Sequence, residues 1–323
     1  MNRIAITMGE PGGVGPEVIV KALSFPGIRE CNPVIVGNAE VMKDAVRLTG
    51  LDLSVRSIPD LKHSMPEERT IDVIEIRSGL SSEKNIPSLE AGRAVVKYIR
   101  KAVSLALCGE AKAIVTAPIS KESLRLAGYS WPGHTELLAE LSGAEDVAMM
   151  FVSEKLRVIL CTIHIALKDV AGNISEGRVY KTIKHTLAGA RMLGINSPRI
   201  AVSGLNPHAG EAGIMGSEEL DSIIPAIKIA QKTGMDVSGP YPPDVVFHRA
   251  YNGDFDMVVC MYHDQGLIPF KMLAFDTGVN ATVGLPFIRT SPDHGTAFDI
   301  AWKNTASPSS MVEAIKLASK IKL

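Results

Sequence analysis

The stretch "ITMGEPGGVGPEV", from Ile6 to Val18, sets four glycines and two prolines directly after the first hydrophobic run of the chain. The preceding residues, 3–8, predict a strand. The following "PEVIVKAL" predicts a helix with Pro16 at its first position, where the missing N–H of proline costs nothing. A strand, a tight turn and a helix are therefore expected at the amino end. Such a turn is either a purely structural one or a loop that binds phosphate.

The standard phosphate-binding loops do not fit this turn. A P-loop needs Gly-Lys-Ser/Thr after its first glycine, but no lysine occurs before Lys21, which lies inside the predicted helix. A dinucleotide fingerprint needs a third glycine after Gly13 and Gly15, and none is present at its place. Glu17 would also repel a phosphate at this helix start. What remains is a tight turn whose small residues let a ligand approach the backbone closely.

Apolar runs alternate with amphipathic stretches along the rest of the chain. The segment "SLEAGRAVVKYIRKAVSLAL" predicts a long helix capped by Ser88, and "VAMMFVS" with "LRVILCTIHIAL" predicts two strands joined by a tight turn. This alternation favours an α/β fold with mostly parallel strands. Polar clusters such as "VTAPISK", "SGLNPHAGE" and "MYHDQG" follow the predicted strands. Because chemistry in such folds gathers at the carboxyl ends of strands, the pattern indicates an enzyme.

Length and composition narrow the class of protein. A chain of 323 residues favours two lobes over one core. Aromatic residues make up 5% and the formal net charge is −1, so we expect no nucleic-acid partner. The sequence has no signal-peptide pattern and no apolar run of membrane-spanning length, so we expect a cytoplasmic protein without a membrane partner. Four cysteines without a close pair favour reduced thiols.

Three histidines sit in segments that follow strands and could bind a metal. They are His164 in "CTIHIAL", His208 in "NPHAGE" and His263 in "YHDQG". Three imidazoles from separate strand ends can hold one divalent ion such as zinc and leave a position for substrate. Their spacing along the chain is long and does not by itself identify a site. The apolar neighbours of His164 equally fit a core histidine bonded to a backbone carbonyl.

A second group of side chains suits an acidic substrate. "PGHTELLAEL" sets His134 and Thr135 at a helix start, where backbone N–H groups favour an anion, although Thr135 could simply cap the helix. Lys271, Asn280 and Arg289 supply two cations and an amide near the strand-end loops. Together these residues favour a small phosphorylated acid. Taken singly, each would be an ordinary solvated surface residue.

Long strings of this sequence resemble the 4-hydroxythreonine-4-phosphate dehydrogenase family. They are "ITMGEPGGVGPEVIVKAL", "PGHTELLA", "GLNPHAGE", "YHDQGLIPFK" and "GVNATVGLPFIRTSPDHGTAFDIA", in the family's order from Ile4 to about Ala318. The resemblance implies a two-lobed fold like that of isocitrate and isopropylmalate dehydrogenases, with mostly parallel sheets and a cleft between the lobes. We place lobe one at 1–128 plus 264–323, and lobe two at 129–263. The family resemblance also implies a homodimer in which each metal ion is bound by residues of both subunits.

The resemblance assigns roles to residues of this sequence. The metal ligands would be His164, His208 and His263. The substrate-binding residues would be His134, Thr135, Lys271, Asn280 and Arg289. The NAD or NADP site would include Gly13 and Gly15 near the reactive end of the cofactor, and His294, Gly295, Ala297 and Asp299 on the adenosine side.

The implied reaction is oxidation of 4-phosphooxy-L-threonine at its C3 hydroxyl, with hydride transfer to NAD or NADP. Loss of CO2 would then give 3-amino-2-oxopropyl phosphate for pyridoxal phosphate synthesis. A divalent metal (zinc, magnesium or cobalt) would lower the pKa of the hydroxyl. Asp264 and Lys271 are both candidates for the proton acceptor.

Some segments depart from the usual family pattern. The first loop has "GEPGG" where the family usually has Gly-Asp-Pro-Ala/Thr-Gly. "GPYPPDVVF" and "DIAWKN" are closer to a sister branch that oxidises phosphorylated threonate or erythronate, whereas "GLNPHAGEAGIMGSEE" and "YHDQGLIPFK" favour the pyridoxine branch. We favour the pyridoxine branch. The alternatives are a 4-phospho-threonate or erythronate dehydrogenase, a related diol dehydrogenase, or a binding protein that has lost turnover.

Overall fold

The computed structural model describes residues 3–65, 67–77, 79 and 84–322. The chain divides into two compact units. Unit 1 comprises Met1–Asp146 and Leu285–Lys320, and unit 2 comprises Val147–Gly284 and Ile321–Leu323. The lobe boundaries expected from the sequence, after residues 128 and 263, lie earlier in the chain than these crossing points.

Unit 1 contains a parallel sheet. Its strands are β1 (Ile4–Thr7), β2 (Pro33–Gly37), β3 (Ser54–Ile58), β4 (Thr70–Glu75), β5 (Ala113–Thr116) and β12 (Ile288–Pro292), in the order β3-β4-β2-β1-β5-β12. Each neighbouring pair is parallel. Its helices are α1 (Gly15–Leu23), α2 (Ala39–Thr49), α3 (Leu89–Leu107), α4 (Lys121–Leu126), α5 (His134–Ser142) and α11 (Ser309–Lys320). All residues of β1 and β5 are buried, as expected for parallel strands covered on both faces.

Unit 2 contains a mixed sheet. Its strands are β6 (Ala148–Val152), β7 (Arg157–Leu160), β8 (Ile200–Ser203), β9 (Val237–Tyr241), β10 (Met257–Cys260) and β11 (Val279–Val283), in the order β11-β6-β7-β10-β8-β9. Strand β6 runs antiparallel to β7 and β11, and the other pairs are parallel. Its helices are α6 (Leu167–Asn173), α7 (Glu176–Met192), α8 (Ile224–Lys232), α9 (Pro243–Tyr251) and α10 (His263–Ala274).

Helix α10 matters for the site because it begins at His263, three residues after β10 ends. Its Gly266 lies against β10, and a Cβ there would come within 2.9 Å of the Cys260 Sγ. Phe270, two turns into the helix, packs edge-on against Phe151 of β6 with 5.7 Å between ring centroids. These contacts fix the helix on the core of unit 2 and so fix its first turn.

Several sequence-based predictions are confirmed. The fold is α/β with mostly parallel strands, and Ser88 caps α3 by accepting a hydrogen bond from the Ala91 N–H. β6 and β7 form the predicted tight pair. The segment after β10 was expected to be a loop but is helix α10, and strands β11 and β12 were not predicted. Within the described ranges, no helix has the length and apolar character needed to cross a bilayer.

Candidate active site

The glycine-rich turn after β1 contacts the loop that follows β12. The Val14 N–H donates to the Thr296 carbonyl at 3.0 Å, and a Cβ on Gly13 would lie 3.0 Å from that same oxygen. A Cβ on Gly15 would lie 2.5 Å from the Met8 carbonyl oxygen. The protein's own backbone thus fills the space beside these two glycines, which accounts for glycine at both positions. Their part in cofactor binding stays a prediction.

The remaining candidate cofactor residues lie in that second loop. His294, Gly295 and Asp299 are exposed, and the His294 Nδ1 lies 3.0 Å from the Gly295 carbonyl oxygen. Ala297 has a φ of 42°, a left-handed conformation that is costly for a residue with a side chain. Trp302 donates its indole N–H to the Pro11 carbonyl at 3.1 Å. Within unit 1, the structure therefore brings the two predicted cofactor segments together.

Arg289 lies on β12 and is 3% exposed, although the sequence suggested a loop position. Its Nη2 and Nε donate to the Thr116 hydroxyl at the end of β5, at 2.7 and 3.2 Å. Burial lowers the pKa of Arg289 to about 10, and the charge of Glu136 partly offsets this. Because the planar guanidinium fork matches the oxygen atoms of a carboxylate or a phosphate, Arg289 is suited to bind an anion.

His134 is the first residue of α5. The helix is preceded by Gly133 and has no side-chain cap, so the alternative in which Thr135 caps the helix is wrong. The His134 Nε2 is enclosed and has no hydrogen-bond partner among the described residues. Burial, and then the charge of Arg289, hold the pKa of His134 well below its ordinary value. The start of α5 thus offers the backbone N–H groups of its first turn and the neutral imidazole of His134, on which the positive charge of Arg289 acts. This combination of groups suits a bound anion.

In unit 2, His164 and His263 come together. Their ring centroids are 5.8 Å apart, and both line a cavity of about 420 Å³. His164 is exposed beyond the end of β7, so the alternative of a core histidine is wrong. The His263 Nδ1 lies 2.7 Å from the Asp264 Oδ1, which leaves Nε2 of this ring for another partner. A carboxylate on the second ring nitrogen is the usual support of a metal-binding histidine.

His208 follows β8 in a loop of unusual conformation. Residues 208–212 all have positive φ, from 40° to 77°. His208 itself is exposed. In the described part of the chain, no group of three or more His, Cys, Asp or Glu side chains is arranged to hold a metal ion. One chain thus pairs two of the three predicted ligands, and the role of His208 stays a prediction.

The other two predicted substrate residues lie in unit 2. Lys271 is on α10, and its Nζ lies 6.0 Å from the ring centroid of Phe275. Asn280 is on β11 and buried, and its Oδ1 has no hydrogen-bond partner in the described ranges. An enclosed acceptor without a donor is costly, so Asn280 is suited to a ligand that donates a hydrogen bond.

The family model described as "Pyridoxal phosphate biosynthetic protein PdxA" matches residues 29–318. The chain belongs to the PdxA family. It is 50% identical to a 4-hydroxythreonine-4-phosphate dehydrogenase of Trichlorobacter lovleyi, over 99% of this chain and 97% of that one. It is 47% identical to a D-threonate 4-phosphate dehydrogenase of Cupriavidus necator, over 98% and 96%. The crystal structure of a 4-hydroxythreonine-4-phosphate dehydrogenase from Klebsiella pneumoniae matches with a TM-score of 0.90 and 43% identity, over 99% of this chain and 97% of that one.

These matches confirm the family predicted from the sequence and show that the chain is an oxidoreductase, a dehydrogenase of the PdxA family. Sequence reasoning missed three polar residues near the predicted ones. Thr116, which binds Arg289, ends a buried strand and could have been found by that position. Glu10 and Glu219 are buried carboxylates, and nothing in their local sequence distinguishes them from exposed acids.

Proposed function

We propose that the chain oxidises the C3 hydroxyl of 4-phosphooxy-L-threonine. NAD or NADP would accept the hydride, and a base of the protein would accept the hydroxyl proton. The β-keto acid then loses CO2 to give 3-amino-2-oxopropyl phosphate for pyridoxal phosphate synthesis. The observation that carries the proposal is the buried Arg289 beside the start of α5, where the enclosed Nε2 of His134 has no hydrogen-bond partner among the residues that the structure describes. Such a site suits the anionic end of a phosphorylated acid.

Each residue of this anion site has a defined part. Arg289 is anchored through Thr116, so its fork is already oriented before substrate binds. His134 is neutral near pH 7 because of its lowered pKa, and an Nε2–H would donate to an anionic oxygen. Thr135 adds a hydroxyl in the same first turn. On the family resemblance we assign Lys271 and Asn280 to the same substrate.

The residues of the second group fit a divalent metal. His164 and His263 bring two imidazole nitrogen ligands into one cavity. Asp264 contacts the Nδ1 atom of His263 and so orients this ring for metal binding through Nε2. A divalent ion such as zinc, magnesium or cobalt supplies Lewis acidity that lowers the pKa of a hydroxyl. The contact with His263 favours an orienting part for Asp264. We therefore assign proton acceptance to Lys271.

We further propose a homodimer in which His208 of the partner subunit completes the ligand set. The support is an apolar surface on unit 2. Ile268 and Met272 are exposed one turn apart on α10, and Met272 is 83% exposed. Phe275, the first residue after α10, is exposed as well. Leu167 of α6 and Ile214, beyond the His208 loop, are also exposed. Exposed apolar side chains on the elements that carry metal residues are typical of a subunit interface.

A second candidate substrate is D-threonate 4-phosphate. It is favoured by the segment "GPYPPDVVF" at β9 and the start of α9, by "DIAWKN", and by the 47% identity to the enzyme of Cupriavidus necator that carries this name. The two substrates differ at C2, which bears an amine in one and a hydroxyl in the other.

An initial-rate assay of reduced nicotinamide decides between them. Both compounds are tested with NAD and with NADP, with zinc, magnesium or cobalt added, and with Arg289→Ala as a reference of weakened substrate binding. A higher kcat/KM for 4-phosphooxy-L-threonine supports the proposal. A higher value for D-threonate 4-phosphate transfers it to the second candidate. No turnover of either would refute both.

A further inference from the structure

A buried carboxylate holds the loop that carries His208. Glu219 is 2% exposed. Its Oε1 accepts the backbone N–H groups of Leu205 and Asn206, both at 2.8 Å. Its Oε2 accepts the Asn206 side-chain Nδ2 at 2.9 Å. One carboxylate thus receives three hydrogen bonds from the two residues that lie just before Pro207 and His208.

The loop closes tightly around this carboxylate. A Cβ added to Gly210 would lie 2.6 Å from the Glu219 Oε2, so only glycine fits there. At Gly216, whose φ is 134°, a Cβ would lie 2.5 Å from the Asn206 Nδ2. The carboxylate is therefore enclosed by the backbone on both sides of His208.

The backbone of this loop needs such support. His208, Ala209, Glu211 and Ala212 all adopt the left-handed region, which is unfavourable for residues with a Cβ. A run of this kind persists only where the surroundings determine it, and such strain is typical of functional sites. Glu219 also opens a π-helical turn, Glu219–Ile223, a feature frequent at functional sites. The hydrogen bonds from Leu205 and Asn206 to Glu219 anchor one end of this left-handed run. The close contact of Glu219 with Gly210 restricts the backbone conformation in the middle of the run.

We propose that Glu219 is a positioning residue that sets the direction of His208 for binding the divalent metal. This inference rests on the proposed function, in which His208 is a ligand. The carboxylate is required because both of its oxygens accept. Glutamine has the same shape but replaces one acceptor by an NH₂ group, which would face either the two backbone donors or the Asn206 donor. In either orientation the loop loses hydrogen bonds and gains a donor–donor contact.

The test compares Glu219→Gln with a neighbouring control, Glu218→Gln, in the metal-free protein. Glu218 accepts from the same Asn206 Nδ2, at 2.7 Å, but in the described part of the chain it makes no hydrogen bond to the loop backbone. Cobalt(II) is titrated and its dissociation constant read from the visible absorption of the bound ion. Circular dichroism checks the fold, and kcat is measured at saturating cobalt.

We expect Glu219→Gln to raise the cobalt dissociation constant about 10- to 100-fold, the range typical of residues that support a ligand. Glu218→Gln should change it less than about threefold by the same reasoning. Excess cobalt should restore most of the kcat of Glu219→Gln, which a purely structural defect would not allow. If Glu219→Gln does not fold, Asn206→Ala, which removes the donor to Oε2, is tested with the same expectation.

His208→Ala separates this inference from the proposed function. If His208→Ala loses cobalt while Glu219→Gln binds it as the wild type does, Glu219 has no positioning role and the metal assignment stands. If His208→Ala itself binds cobalt with wild-type affinity, His208 is not a ligand. The proposed metal site and the positioning role of Glu219 are then both wrong.

Discussion

Replacing Glu10 by glutamine should change how the stability of the protein depends on pH. Glu10 lies in the glycine-rich turn after β1 and is fully buried. Neither of its carboxylate oxygens has a well-formed hydrogen bond to any described residue, although the Ser123 hydroxyl and the backbone of Gly12 and Ser120 lie near enough to offset part of the burial. Burial dominates and raises the pKa of Glu10 from 4.5 to about 7.

The direction of the effect follows from proton linkage. Because the pKa of Glu10 is raised on folding, the folded state binds this proton more tightly than the unfolded state. The stabilisation is complete below pH 4.5 and is lost as pH rises through 7. One pKa unit is worth about 1.4 kcal/mol, so the loss across this window is about 3 kcal/mol. Glutamine does not titrate. The free energy of unfolding of Glu10→Gln, relative to that of the wild type, should therefore rise by about that much between pH 4.5 and 8.

The assay is urea unfolding of both proteins at a series of pH values, at one protein concentration. Glu40→Gln serves as the control, because the Glu40 side chain is 74% exposed. The free energy of unfolding of Glu10→Gln minus that of the wild type should rise with pH, and the same difference for Glu40→Gln should stay nearly flat. A Glu10→Gln difference that is constant from pH 4.5 to 8 would refute a raised pKa at this site.

Two further predictions concern substrate and assembly. Arg289→Ala should raise the KM for the phosphorylated substrate about 10- to 150-fold, the equivalent of one lost charge-assisted contact, with little change in the dissociation constant of NAD; equal weakening of both ligands would count against a substrate role. In mixed dimers, a His208→Ala chain with a His263→Ala chain should regain up to about half of the wild-type activity, because one site then holds a full ligand set. His164→Ala with His263→Ala should stay inactive, since these two rings lie in one chain. Activity in this second pairing, or none in the first once mass spectrometry shows mixed dimers, would contradict the shared site.

Local patterns were enough to predict most of the α/β order. The cap at Ser88 and the antiparallel pair β6–β7 depend on neighbouring residues, so the sequence shows them directly. Strands β11 and β12 were missed because polar residues interrupt them. Arg289 is buried on β12, where the hydroxyl of Thr116 on the neighbouring strand β5 accepts its hydrogen bonds, although the two residues are far apart in the sequence. A partner so far away in sequence leaves no local signal.

The start of α10 shows the same limit. The segment "MYHDQG" was predicted to be a loop, and Gly266 and Pro269 are residues that are unfavourable inside a helix. Gly266 is instead required where the helix meets Cys260, and Pro269 is accommodated inside the helix. The metal histidines could be proposed from family resemblance, but the 5.8 Å approach of His164 to His263 and the left-handed conformation at His208 arise from tertiary structure.

Unit 1 consists of two segments that are far apart in the chain, and this affects how the protein folds during synthesis. The ribosome releases a chain from its amino end, and domains generally fold as units once their residues are available. Strand β5 pairs with β12 through Ile288 and Thr290, which emerge only after nearly all of unit 2. Unit 2 is almost one continuous stretch and can fold while unit 1 still waits for its last strand. Until then the nascent protein carries an uncovered strand edge at β5, the kind of surface on which chains associate wrongly and chaperones act.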